Sequence, residues 1–198
     1  MPWLEPLTLT AENAILEPLS HDHHDALCDA VRDGDLWNLW YTAISSPETM
    51  RAEIDRRLAL QVQGSMVPFT VRTPDGKVAG MTTYMNIDRV NRRVEIGSTW
   101  YAKSAQRTSL NTACKLLLLR HAFVALNCIA VEFRTNFFNF PSREAILRLG
   151  AKQDGILRHH QVLPDGSLRD TVVFSIVAPE WPAVKKNLLW RMTRPRQR

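Results

Sequence analysis

The chain has 198 residues, 45% of them apolar and 23% charged, with a formal net charge of +5. That balance is ordinary for one folded domain with a substantial core. Its three cysteines, Cys28, Cys114 and Cys128, are isolated, odd in number and set among apolar residues, which argues against a disulfide framework or a zinc site and fits a reducing cytosol.

No repeat, low-complexity block or linker divides the sequence, so residues 1–198 read as one domain ending in a basic tail, 191–198. Residues 14–19 read as a first strand. Ser20 then caps a helix over about 22–31, and Ser46-Pro47-Glu48 opens a second that reaches about Gln63. Between them, residues 33–41 form a loop loaded with aromatics. Strands at 68–72 and 77–86 flank the turn Pro74-Asp75-Gly76, and a strand at 92–101 follows. A long helix is predicted over 110–126, then a strand over 129–135. A helix over 141–149 stops at Gly150, where a left-handed cap wants glycine. Strands at 155–163 and 168–177 flank Pro164-Asp165-Gly166, and Pro179 opens a terminal helix carrying Trp181, Leu188, Leu189 and Trp190. This order predicts a mixed α/β sandwich, partly antiparallel and partly crossover-connected.

The most informative stretch is 94–126: a strand, the polar turn Gln106-Arg107-Thr108-Ser109-Leu110-Asn111, then a helix too apolar to lie on a surface. The first turn of any helix leaves N–H groups unpaired, so a small polar turn there offers main chain to an anion such as a phosphate. An ordinary capped helix start shows the same residue types, and the pattern leaves both readings open. The last fourteen residues carry Lys185, Lys186, Arg191, Arg194, Arg196 and Arg198 with no acid. Such a tail suits a solvated end or contact with nucleic acid; the solvated end is adopted, and nucleic acid is not an expected partner. His21, His23 and His24 share the first helix, but no carboxylate or cysteine arrangement completes a metal set, and no metal is predicted. The first residues lack a basic-then-apolar leader pattern, and the longest apolar run, 116–119, is far too short to span a bilayer. A soluble cytoplasmic protein without a membrane partner is therefore expected.

Glu95-Ile96-Gly97, the 106–111 turn, Asn139-Phe140-Pro141-Ser142 and the run from Ala145 through Leu149-Gly150-Ala151 come in an order and spacing that resembles the GNAT acetyltransferases. Within them the chain is similar to the RimJ/RimL-like branch, which acetylates ribosomal-protein N-termini; Gly166 to Asp170 with Phe174-Ser175-Ile176 fits that branch too. The likeness runs from about Leu7 to Trp190, and its order and spacing, not any single piece, are specific. It implies a central, twisted, mostly antiparallel sheet of about seven strands, flanked by helices and splayed into a V between the fourth and fifth. It also implies acetyl-coenzyme A as co-substrate and acetyl transfer, by direct attack, to a primary amine of a protein N-terminus or a small molecule. A non-catalytic acyl-coenzyme A-binding module is the alternative. Paired protomers are common in the family, and a terminal helix exposing Trp181 and Trp190 would serve a homodimer.

The resemblance carries site roles to particular residues. The pyrophosphate falls to the turn, Gln106, Arg107, Thr108, Ser109, Leu110 and Asn111, and the pantetheine arm to the backbone of Thr99, Trp100 and Tyr101. One main-chain N–H there would polarise the thioester carbonyl. The strand looks one residue longer than in close relatives, which a β-bulge would absorb. Asn139 would hydrogen-bond the pantetheine or simply cap its helix. Ser142 would protonate the leaving thiolate, with Tyr101 as the rival acid. Glu95, Glu132 and His160 are the candidates for general base. Trp37, Trp40 and Tyr41 would wall an acceptor pocket faced by Tyr84 and Asn86. Two departures stand out: Ser109 replaces the usual glycine, and Ala113 replaces a glutamate of close relatives.

Overall fold

The computed structural model describes residues 3–193. Eight strands form one sheet in the order β1-β2-β3-β4-β5-β6-β8-β7. They are β1 (Leu9–Ala11), β2 (Ala14–Pro18), β3 (Met66–Arg72), β4 (Val78–Asp88), β5 (Arg93–Tyr101), β6 (Ala130–Asn136), β7 (Lys152–Val162) and β8 (Leu168–Val177). Each of β1 to β4 pairs antiparallel with the next; β5 and β6 are parallel; β8 pairs antiparallel with both β6 and β7. The expected mixed, mostly antiparallel sheet is present with eight strands rather than about seven. The extra one, β1, spans only Leu9–Ala11 and is half-exposed, too short to show a period in the sequence.

Helices α3 (Leu110–Arg120), α4 (Phe140–Leu149) and α5 (Trp181–Thr193) cover one face. Leu117, Leu118, Ile146, Leu149, Val184 and Leu188 pack there on Phe69, Tyr84, Ile96, Val131, Phe133 and Phe174. Helices α1 (His24–Arg32) and α2 (Met50–Val62) lie on the other face. Their Leu27, Val31, Met50 and Ile54 bury Met81 of β4 and Trp100 of β5. The β6–β8–β7 half of that second face is left open, and β7 is exposed along almost its whole length.

Local stereochemistry accounts for several boundaries. Gly150 ends α4 at φ 103°, as its position in the sequence predicts. The long helix predicted over 110–126 instead becomes a π turn from His121 to Ala125, where the Leu126 N–H donates to the His121 carbonyl at 3.0 Å. Trp181, expected on an exposed helix, is buried and stacked on Phe123 at 5.5 Å; Trp190 is exposed. Arg194, Arg196 and Arg198 of the basic tail lie outside the described residues. Among those described, the three cysteines are free and buried, and no helix is long and apolar enough to cross a membrane.

One buried charge stands out in the core. Lys115 of α3 is 6% exposed, and its ammonium reaches the hydroxyls of Thr99 at 3.0 Å and Thr82 at 3.4 Å, with no carboxylate bonded to it among the described residues. Burial pulls its pKa from 10.5 down to about 8. Below pH 8 folded and unfolded chains both hold the proton, so the fold bears the full desolvation cost. Between there and 10.5 the unfolded chain holds more protons, so this contribution becomes more favourable as pH rises. Lys115→Met should therefore be more stable than wild type by about 3 kcal/mol at neutral pH, with the gap closing at higher pH. Urea unfolding of both proteins at several pH values checks this; a gap that does not change with pH would overturn it.

Candidate functional site

The site begins where two strands part. β5 pairs with β6 only at Arg93, Val94 and Glu95, opposite Ala130, Val131 and Glu132; beyond Glu95 its backbone has no strand on that side. This is the V expected between the fourth and fifth strands, counted from Ala14. On the other edge of β5, Met81 opposes Trp100 while Thr83 opposes Gly97, so Ser98 and Thr99 together face Thr82. That is the expected β-bulge, with Ser98 in the left-handed region at φ 47°. Gly80 on β4 sits at φ 149°, and a Cβ there would meet the Trp100 carbonyl oxygen at 2.1 Å, so close approach of β4 to the bulged strand requires glycine.

The bulge is pinned by Arg57 of α2, whose side chain is 3% exposed. Its Nη1 donates to Thr83 Oγ1 at 2.7 Å, Nη1 and Nη2 both reach the Ser98 carbonyl at 3.3 Å, and Nε donates to Glu53 Oε1 at 2.6 Å. Sequence reading missed Arg57, because an arginine inside a helix ordinarily faces water and nothing in the periodicity marks this one.

The turn before α3 is stitched by side chains. Gln106 Nε2 donates to the Tyr101 carbonyl at 2.9 Å, and Thr108 Oγ1 donates to the Ala105 carbonyl at 2.7 Å while accepting from the Leu110 N–H at 3.2 Å. The amides of Arg107, Ser109, Asn111 and Thr112 find no acceptor among the described residues. This cluster of free donors at the start of a buried helix has the chemistry of an anion cradle and fits a pyrophosphate. Ser109 has φ −71°, so glycine is not needed there; the left-handed residue is Arg107, at φ 59°. Ala113 is wholly buried. Thr99 has its hydroxyl engaged by Thr82 and Lys115.

On the far side of the V, Asn139 caps α4, its Oδ1 accepting from the Ser142 N–H at 3.1 Å. Capping thus uses the oxygen and leaves the amide –NH₂ without a partner among the described residues. Ser142 is half-exposed beside it. Trp40, 65% exposed, meets Tyr41 edge-on and Phe138 at a tilt, each at 5.6 Å between ring centres. The loop between α1 and α2 thereby folds onto the β6–α4 connection. Trp37 packs instead against the α1–α2 core. Two predicted site residues lie elsewhere. Tyr84 is fully buried with its hydroxyl donating to the Leu118 carbonyl at 2.5 Å, so it lines no acceptor cavity. Tyr101 is also buried, and its hydroxyl lies in the core beside Cys114, covered by α3.

The three candidates for general base differ sharply. All stand on or beside the open face, which holds a groove of about 490 Å³ lined by Arg93, Glu132, Arg134 and Asp154 among others. Glu95 is 4% exposed; burial pushes its pKa above the ordinary value, opposed by a 2.7 Å hydrogen bond from Asn86 Nδ2 and by Arg134 at 3.5 Å. Glu132 is desolvated too, but hydrogen bonds from Arg134 and Arg93 hold its pKa below the ordinary value. His160 is exposed, and its Nδ1 lies 3.1 Å from Thr171 Oγ1. A bulge brings it there: Leu157 opposes Thr171 and Gln161 opposes Arg169, while Asp170 holds the intervening residues through the His159 N–H at 2.7 Å and Arg158 Nε at 2.5 Å.

Comparison with known proteins gives a consistent picture. Residues 13–152 match the family model described as an acetyltransferase (GNAT) domain. The chain is 32% identical over 111 residues to YdaF of Bacillus subtilis (strain 168), a protein provisionally named a ribosomal N-acetyltransferase; the match covers 56% of this chain and spans only 60% of that relative's length. The crystal structure of a GCN5-related N-acetyltransferase from Brucella melitensis superposes with a TM-score of 0.86 at 29% identity, covering 97% of this chain and 88% of that one. Mycobacterium smegmatis RimJ, in a structure titled as its complex with CoA-disulfide, has the same fold: TM-score 0.76, 24% identity, 94% of this chain and 93% of that one.

The Arg57 anchor is open to a direct test. Arg57→Ala should destabilise the protein by about 2 kcal/mol or more, since it takes the donor from the Thr83 hydroxyl and the Ser98 carbonyl, while Glu53 keeps its two bonds from Arg56. Urea unfolding measures the change; a loss below about 1 kcal/mol would mean that the bulge stands without it.

Proposed function

Because the chain belongs to the acetyltransferase (GNAT) family and is an acyltransferase, we propose that it moves the acetyl group of acetyl-coenzyme A to a primary amine by direct attack. The observation that carries this reading is the unpaired main chain among the described residues: β5 has no partner strand beyond Glu95 on its β6 side, and four amides of the turn that follows it find no acceptor. When bound, acetyl-coenzyme A supplies an acyl group activated as a thioester. The amides of Arg107, Ser109, Asn111 and Thr112, with Gln106, Thr108 and Leu110 shaping the turn, would hold the pyrophosphate. The backbone of Thr99, Trp100 and Tyr101 would pair with the pantetheine arm, and one N–H there would stabilise charge developing on the carbonyl oxygen. The free –NH₂ of Asn139 would donate across the V.

Ser142 is the acid we assign to the leaving thiolate, since the rival Tyr101 hydroxyl is buried in the core. Glu95 is the base we assign, directly or through water, because burial raises its affinity for a proton while Glu132 stays ionised in its ion pairs. Trp40, Tyr41 and Asn86 would border the acceptor. The names of YdaF and RimJ support the RimJ/RimL-like branch and with it a protein N-terminus as one acceptor class. The negative φ of Ser109 removes the main argument for a non-catalytic binding module.

Acetyl-coenzyme A mixed with a panel of peptide N-termini and small amines should release free thiol only when the protein and a suitable amine are both present; binding without turnover on any amine would sink the proposal. Ser142→Ala should lower kcat about tenfold with cofactor affinity unchanged, and Glu95→Gln about a hundredfold. The acid limb of the wild-type pH–rate profile should lie above pH 4.5, because Glu95 must lose its proton to act and its pKa is raised. That limb should vanish in Glu95→Gln.

A further inference from the structure

The open face of β6 and β8 holds more cationic side chains than its acids engage. Arg93 and Arg134 are taken up by Glu132, and Arg134 also faces Glu95. Arg169 differs. Its side chain makes no hydrogen bond among the described residues, and its Nε is buried without an acceptor. Along β8, Val172, Phe174 and Ile176 point into the α3 side of the core, which puts Arg169 with Thr171, Val173 and Ser175 on the open face. The strand register sets it opposite Gln161, just past the bulge that carries His160, and its charge is felt by Glu95.

We propose that Arg169 is a specificity-determining residue that binds a carboxylate on the acceptor, so the favoured acceptor is a primary amine with a carboxylate a few bonds away. This rests on the acetyl-transfer reading and on Glu95 facing the amine. A guanidinium presents planar paired donors that match a carboxylate, and a buried donor without an acceptor is costly to leave unmet. Glu95 and Arg169 are close enough on the open side of the sheet to feel each other's charge, one acid and one cation without a bonded acid among the described residues. That is the complement of an ammonium and a carboxylate on one molecule; a neutral amine would satisfy only half of it. Two sources share this chemistry: a free α-amino acid, and a peptide N-terminus followed by an acidic side chain.

Two matched pairs separate them: L-alanine against L-alaninamide, and the amidated peptide Ala-Asp-Ala against Ala-Asn-Ala. With wild type, the carboxylate member of at least one pair should have a KM about tenfold lower than its amide partner, and the pair that responds identifies the source. Arg169→Gln should raise that KM about tenfold at similar kcat, leave the amide partner almost unmoved, and be partly rescued by Arg169→Lys. No preference in either pair, or an equal loss on both members, would overturn the proposal and make Arg169 merely a counter-charge for Glu95. If no amine is acetylated at all, the acetyl-transfer reading fails, and NMR titration of the same four compounds with coenzyme A present still decides the subsite. Carboxylate-selective binding lost in Arg169→Gln would uphold it; no selective binding would refute it.

Discussion

Everything at the site depends on a parallel strand pair that stops after Glu95. A regular β5–β6 ladder would consume the N–H and C=O groups on that edge and close the sheet. Ending it leaves a run of main chain that must find another partner, because buried backbone polar groups are costly to strand. The divergence is enforced rather than loose: the Ser98 bulge twists β5 on one side, Arg57 grips the bulge from beneath, and Gly80 lets β4 follow it closely. The turn before α3 then opens at the end of the same strand.

The unequal cover of the two faces gives the slot its second neighbour. Three helices bury one face from β2 to β8, and this is where Lys115 bears its desolvation cost. Two helices bury only half of the other. The charged side chains of β6 and β8 can therefore stay hydrated along one side while Glu95, at the edge of the covered half, is nearly dry. A carboxylate at such a boundary keeps access to a partner yet binds a proton more tightly than one in water.

Much of this was legible in the sequence. Proline and glycine punctuation located the hairpins around Asp75 and Asp165 and the end of α4, and the longer strand before the turn announced the bulge. What escaped has physical causes. β1 is too brief for a period, and the π turn after Arg120 keeps the apolar spacing of a helix. Face assignment failed for Tyr84 and Tyr101, because alternation tells which residues share a side but not which helix covers it. Arg57, Lys115 and Arg169 were missed since charge on a helix or strand ordinarily predicts solvent, and only tertiary packing says otherwise. Ser109 drew attention by its identity, whereas the backbone strain sits at Arg107, which composition alone does not reveal.

The bulge at His159 has a consequence beyond placing His160. β7 is the last strand on its side of the sheet, exposed along nearly its whole length, with Ile156, Leu157 and Val162 in open view. A straight strand of that kind is a template on which a second chain can add, the first step toward fibrous aggregates. The kink held by Asp170 breaks the ladder midway and sets Arg158 and two histidines at the break, so an incoming strand meets a register fault and positive charge. A device that positions a side chain thus also makes this edge a poor template for another strand.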